Sequence, residues 1–147
     1  MGSVIWISLS QYLRQLEESG MNLLVFRGDD VIYSSSSRGV SPLLGAIEEV
    51  GLEGLEGVLT ADRIVGRAAA LLNVYMGVSE VHALVISAGA EGLFRGHGVA
   101  FDFAEETDVV KGVDGVLFCP FERLVQGISD PGEAFVAIKE KLAEMRA

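Results

Sequence analysis

The chain has 147 residues, half of them hydrophobic, and a formal net charge of −10. This length fits one domain with one sizeable core. The acidity, with a pI near 4.5, excludes a sequence-independent binder of nucleic acid, which needs a basic stripe to release phosphate counterions, and a binder of anionic membranes.

A mean hydropathy of +0.40 is high for a soluble monomer, so self-association as a homodimer through an apolar face is expected. The lone cysteine, Cys119, excludes an internal disulfide and fits a reducing, cytoplasmic compartment. Residues 1–7 read as an N-terminal extension. Their apolar run, Val4-Ile5-Trp6-Ile7, lacks the basic start and small-residue cleavage site of a signal peptide. No run approaches the roughly 18 apolar residues of a membrane span.

In chain order, the pattern predicts a helix over 8–19, with Leu9, Leu13 and Leu16 on one face and Gly20 as its stop. Residues 22–27 (NLLVFR) read as a strand, Gly28-Asp29-Asp30 as a hairpin turn, and Val31-Ile32-Tyr33 as the return strand. Residues 34–39 (SSSSRG) form a polar loop. Ser41 and Pro42 look like an N-cap followed by proline at the first helical position, opening a helix to residue 50. Residues 51–57 (GLEGLEG) read as a connection into a short strand at Val58-Leu59. Thr60 or Asp62 then caps a helix over 63–76, stopped by Gly77.

Residues 80–87 (EVHALVIS) read as a strand buried on both faces. A short helix over 90–97 ends at Gly98, and 99–103 alternates as a strand should. Residues 105–116 read as a loop with one more short strand. Cys119-Pro120 opens a helix to about residue 126, and Asp130-Pro131 opens the last, ending near Met145. A hairpin followed by alternating helices and strands indicates an α/β fold, a three-layer α/β/α sandwich with a mixed sheet.

Several stretches carry a family likeness: Asp62 to Ala70 (DRIVGRAAA), Ala83 to Ser87 (ALVIS), Cys119-Pro120-Phe121-Glu122, and upstream Arg38-Gly39-Val40 and Pro42-Leu43. With the order helix, β-hairpin, helix, strand, helix, they make the chain, from about Leu9 onward, resemble a family of uncharacterised prokaryotic proteins. That family is placed in the cytidine-deaminase-like fold and has no established activity. In the zinc deaminases of that fold, a His or Cys two residues before a catalytic Glu opens the helix after the hairpin region, and P-C-x-x-C opens the next. The resemblance puts Thr60-Ala61-Asp62 and Ser87-Ala88-Gly89-Ala90 in these places, and neither holds a thiol or imidazole. A His/Cys/Cys or Cys₃ site needs at least two cysteines, so zinc-dependent deamination is excluded by count. His82, His97 and Cys119 have no metal-ligand spacing. No metal and no cofactor is expected.

Three stretches could carry chemistry, and each has a plain structural reading beside it. In Asp62 to Arg67 (DRIVGR), the predicted helix puts Arg63 and Arg67 on one face near its start, beside Gly66, which suits a phosphate or carboxylate. The same residues can instead form surface ion pairs and pack the helix on the sheet. In Cys119-Pro120-Phe121-Glu122, a cysteine at an N-cap with Glu three residues on resembles a capping box with sulfur for oxygen. Such a thiol would feel the helix dipole, or simply be a small core residue. The Ser34 to Gly39 loop, with Arg38 and Gly39, offers hydroxyls and amides to phosphate, or is a solvated turn. Ser87, at the end of its strand, lies where open α/β sheets tend to place ligands. Glu105, Glu106 and Asp108 read as a solvated charge cluster, and Trp6 and Tyr12 as packing residues.

These residues support two functional readings and a third without a site. The first is a binding or regulatory domain for a nucleotide-like or other phosphate-bearing small molecule, contacted by Arg38, Gly39, Asp62, Arg63, Gly66, Arg67, Ser87, Cys119 and Glu122. The second is a metal-independent enzyme on a similar ligand, with Cys119 as nucleophile and Asp62 as base. The third is a partner-binding dimer. The first two place a pocket between the DRIVGR stretch, the end of EVHALVIS and the start of CPFE.

Overall fold

The computed structural model describes residues 9–108 and 119–146. The apolar start at 4–7, with Trp6, and the part of the 105–116 segment from residue 109 onward lie outside them.

Helix α1 spans Gln11–Ser19. It begins at Ser10 because the Ser10 hydroxyl accepts the Leu13 amide at 3.2 Å, and it ends at Gly20, whose φ of 72° closes the last turn. Strands β1 (Leu23–Arg27) and β2 (Asp30–Ser35) form the hairpin around Gly28. Helix α2 (Ser41–Val50) starts one residue before the expected site, with Val40 at the N-cap and Pro42 in the first turn. The glycine-punctuated stretch expected as a plain connection closes one turn, α3 (Leu52–Leu55).

The largest correction follows. Residues 59–65, Leu59–Val65, are strand β3, and the next helix, α4, runs from Arg67–Met76. Thr60 and Asp62 therefore do not cap a helix, and Thr60-Ala61-Asp62 do not open one. Strand β3 lies between β1 and β4: Leu59 pairs with Phe26 and Glu80, and Asp62 with Leu23 and Ala83. Ladders on both sides satisfy its backbone, which outweighs a local capping signal.

Strand β4 is Glu80–Ser87, as the sequence predicts, and Ser87-Ala88-Gly89-Ala90 does open a helix, α5 (Ala88–His97). Strand β5 runs further than expected, Ala100–Thr107, because it pairs with β4 along its whole length. Helices α6 (Pro120–Leu124) and α7 (Pro131–Arg146) complete the described chain.

The five strands form one mixed sheet in the order β2-β1-β3-β4-β5. Strand β1 is antiparallel to both neighbours, and β3, β4 and β5 are mutually parallel. Alternation along β1 separates two cores. Leu24 and Phe26 pack with Leu9, Leu13 and Leu16 of the α1 side, whereas Leu23 and Val25 belong to the larger core under the other helices. One face thus carries α1, and the other is filled mainly by the buried helix α4. Asn73 of α4 is fully buried and satisfied: Thr60 Oγ1 donates to its Oδ1 at 2.7 Å, and its Nδ2 donates to Ala69 O at 2.9 Å. No helix among the described residues is long and apolar enough to cross a membrane.

Candidate functional site

Strands β3, β4 and β5 end together, with Val65 beside Ile86 and Ser87 beside Thr107. Ser35 of β2 pairs with Leu23, which pairs with Asp62. The serine loop therefore leaves the sheet at the same edge. Asn22 Nδ2 ties that loop down by donating to Ser36 O at 2.9 Å and Ser37 O at 3.1 Å. Arg38 and Gly39 follow, exposed, with Gly39 at φ 70° in the turn into α2. The strand ends thus gather Gly66, Arg67, Ser87, Cys119 and Glu122, with Arg38 and Gly39 leaving on the same side, while Asp62 lies further in, three residues before the end of β3.

Arg63 is the exception. It lies in a strand and not on a helix, so it shares no helical face with Arg67. Its side chain reaches the α1 side, where Nη1 pairs with Glu17 and Nε donates to Met21 O at 3.1 Å and Asn22 Oδ1 at 2.8 Å.

Arg67 is also engaged within the chain. The start of α4 has Gly66 at its N-cap, which offers no side chain. Glu122 supplies the cap from α6: Oε1 accepts the Arg67 amide at 2.9 Å and Oε2 the Ala68 amide at 2.7 Å. In return the Arg67 guanidinium donates to Val125 O at 3.0 Å and Ile128 O at 2.5 Å, beyond the end of α6. The anion that this helix start attracts is the chain's own carboxylate. The expected sulfur capping box is accordingly absent: Glu122 reaches α4, Cys119 makes no side-chain cap bond, and its half-buried side chain packs against the main core.

Asp62 is housed differently. Directly paired residues share a sheet face, so it points with Leu23 and Ala83 toward the larger core. It is 6% exposed, and its Oδ1 accepts the amide of Arg63 at 2.8 Å. Burial pushes its carboxyl up to about 7, and the Arg63 amide and charge offset this only in part. A carboxyl that titrates near neutrality can accept from a ligand N–H or, protonated, donate to it.

Ser87 caps α5, its hydroxyl accepting the Ala90 amide at 3.1 Å. One turn on, sequence reasoning missed Glu91. It is buried, with Oε1 bonded to Arg95 Nη2 at 3.1 Å and Oε2 without a hydrogen-bond partner. Its carboxyl is raised, first by the facing Glu106 carboxyl and then by burial. Glu106, expected to be simply solvated, therefore faces a second carboxyl. A Glu in a helix's first turn is ordinary by sequence, and nothing local announces its burial.

His82, read from the sequence as a strand residue without metal-ligand spacing, lies buried on the opposite, α1 face of the sheet, one register row from Asp62. Its Nδ1 is 2.8 Å from Ser10 Oγ and its Nε2 is 2.5 Å from Glu80 Oε2. Among the described residues, no group of three or more His, Cys, Asp or Glu is placed to hold a metal ion.

Fold and edge together define an α/β domain whose polar side chains collect where parallel strands give way to helix starts. The chain belongs to the TM1506 family, a domain of unknown function (DUF1893), whose profile matches residues 11–142. It is similar to the crystal structure of a DUF1893 family protein (TM1506) from Thermotoga maritima. The two are 32% identical with a TM-score of 0.80, over 90% of this chain and 92% of that one. No curated protein matches the chain.

Proposed function

We propose that this chain is a zinc-independent small-molecule-binding domain of cytidine-deaminase-like architecture. Its ligand is nucleotide-like and enters over the carboxyl ends of β3, β4 and β5, reaching in to the Asp62 row on the larger-core face. The observation that carries this reading is Asp62. Burying a carboxyl on a central strand, with the Arg63 backbone amide as its hydrogen-bond donor, works against folding. A retained group of that kind is suited to a ligand's N–H donors. Arg38, exposed on the loop that leaves the sheet in the Asp62 row, is placed to meet an anionic portion such as a phosphate.

The finer fold assignment draws support from the element order and from the antiparallel hairpin at one side of a mixed sheet. The helix after the hairpin opens at Ser41, and the long helix after β3 opens at Arg67. Neither start, like the two stretches considered above, holds a histidine or cysteine.

The test is a thermal-shift series with nucleosides, nucleotides and sugar phosphates. A nucleotide should stabilise the wild type, Asp62→Asn should abolish the shift, and Arg38→Ala should weaken phosphorylated ligands selectively. A wild type that no member of the series stabilises, or an undiminished shift in Asp62→Asn, overturns the reading. The homodimer expected from the apolar composition belongs to the same proposal. Light scattering at micromolar concentration should give twice the chain mass, and a clean monomer contradicts it.

A further inference from the structure

The α1 face of the sheet carries a hydrogen-bonded serine, imidazole and carboxylate that the binding proposal does not use. Ser10 Oγ lies 2.8 Å from His82 Nδ1, and His82 Nε2 lies 2.5 Å from Glu80 Oε2. An ionised carboxylate only accepts, so Nε2 carries the hydrogen and Nδ1 is left to accept the Ser10 hydroxyl. This is the tautomer a general base requires. The ring is 5% exposed and is met edge-on by Tyr12 at 4.9 Å, itself packed on Phe26 at 5.0 Å. Asp102 Oδ2, 4.0 Å from Nδ1, supplies a second negative charge beside an imidazolium.

Ser10 is half-buried and forms the N-cap of α1. One lone pair of Oγ accepts the Leu13 amide at 3.2 Å, and the other remains for attack. The amides of Gln11 and Tyr12, in the first turn, have no intrahelical acceptor. They follow Ser10 directly in the chain and are the donors available to an oxyanion formed there.

We propose that Ser10, His82 and Glu80 form an acyl-transfer site in which Ser10 is the nucleophile toward small activated carboxylic esters. Ser10 Oγ forms a bond to the carbonyl carbon while Nδ1 takes the hydroxyl proton. On collapse the ester C–O bond breaks, and the alcohol leaves with that proton. Water, deprotonated by the same nitrogen, then attacks the acyl-serine, releasing the carboxylic acid and restoring the Ser10 hydroxyl. Ser10 and His82 touch the reacting atoms; Glu80 is a positioning residue that fixes the tautomer and steadies the charged ring.

The test uses the full chain with two probes, p-nitrophenyl acetate and an alkyl fluorophosphonate. In the second, Oγ forms a bond to phosphorus, the P–F bond breaks, and fluoride leaves as His82 takes the proton. Peptide mapping should place the phosphonyl group on Ser10, and both this adduct and p-nitrophenol release above background should vanish in Ser10→Ala. If that variant unfolds for want of its cap, Ser10→Asn retains a cap and lacks the nucleophile. His82→Gln should slow labelling by about 100-fold, the scale of a lost general base. Glu80→Gln keeps an acceptor for Nε2–H without the charge, and should lower kcat about 10-fold with KM held within about two-fold. A folded wild type with no adduct on Ser10 overturns the proposal. So does labelling of the serines at 34–37 at the same rate as Ser10, or a folded His82→Gln that reacts as fast as wild type.

Discussion

His82 and Asp62 are both ionisable, both buried, and both on inner strands of the sheet, yet their surroundings differ. His82 has a partner on each ring nitrogen, Ser10 on one side and Glu80 on the other. Asp62 has the amide of its own neighbour, and its carboxyl is raised to about 7 by burial. A satisfied buried group holds the fold together; an uncompensated one works against it and stays available to a ligand. The two arginines once expected to serve the Asp62 edge are engaged elsewhere, Arg63 with Glu17 behind the sheet and Arg67 with the carbonyls of Val125 and Ile128. The larger-core face is left with a protonatable acid three residues inside the carboxyl end of β3.

The sharpest way to break this contrast is to remove the titration of Asp62. Its folded pKa lies above the ordinary value of 3.8, so between those two values the folded chain holds a proton that the unfolded chain has released. Its contribution therefore favours folding most in acid and is lost as pH rises to about 7. The ceiling on this loss is about 4 kcal/mol. Asp62→Asn keeps an acceptor for the Arg63 amide and cannot ionise. In urea denaturation the variant should gain on the wild type steadily between pH 4 and pH 7, roughly the span of the linkage, and ligand binding should be lost.

The opposite sign is expected at His82. His82→Ala strips Ser10 and Glu80 of their partner and opens space under Tyr12, which should destabilise the chain by roughly 2–3 kcal/mol at neutral pH. Smaller still is the effect at the helix start that looked like an anion site. Glu122→Ala uncovers two amides of α4 and should cost about 1–2 kcal/mol, lowering Tm by roughly 3–6 °C in a calorimetric scan. If Glu122→Ala instead creates a phosphate site without loss of stability, the cap is dispensable and the contrast between the two faces weakens.

Much of the fold was legible because its signals are local. The run EVHALVIS is β4 from end to end, Gly28 turns the hairpin, and Gly20, Gly77 and Gly98 close helices where the pattern changes. The misread stretch, DRIVGR, fails for a non-local reason. Asp62 looks like a cap because a charged residue rarely sits in a central strand, and the actual helix start at Gly66 has no capping side chain of its own. Its cap comes from Glu122 through the tertiary fold. The same holds for His82 and Ser10, and for Glu91 and Glu106. Each pair meets across sheet and helix, and neither spacing nor residue type along the chain foretells the meeting. The location of the candidate site was more legible than its chemistry: strand ends and helix starts fixed the edge, but partners decided which charges remained available there.

Carboxyl-carbon NMR titration of Asp62 in the ligand-free wild type measures the state of that central acid directly. A midpoint near 7, absent from Asp62→Asn, is the expected result. A midpoint at the ordinary carboxylate value, near 3.8, would mean that Asp62 is already solvated or paired, and would contradict the proposed division between the two faces of the sheet.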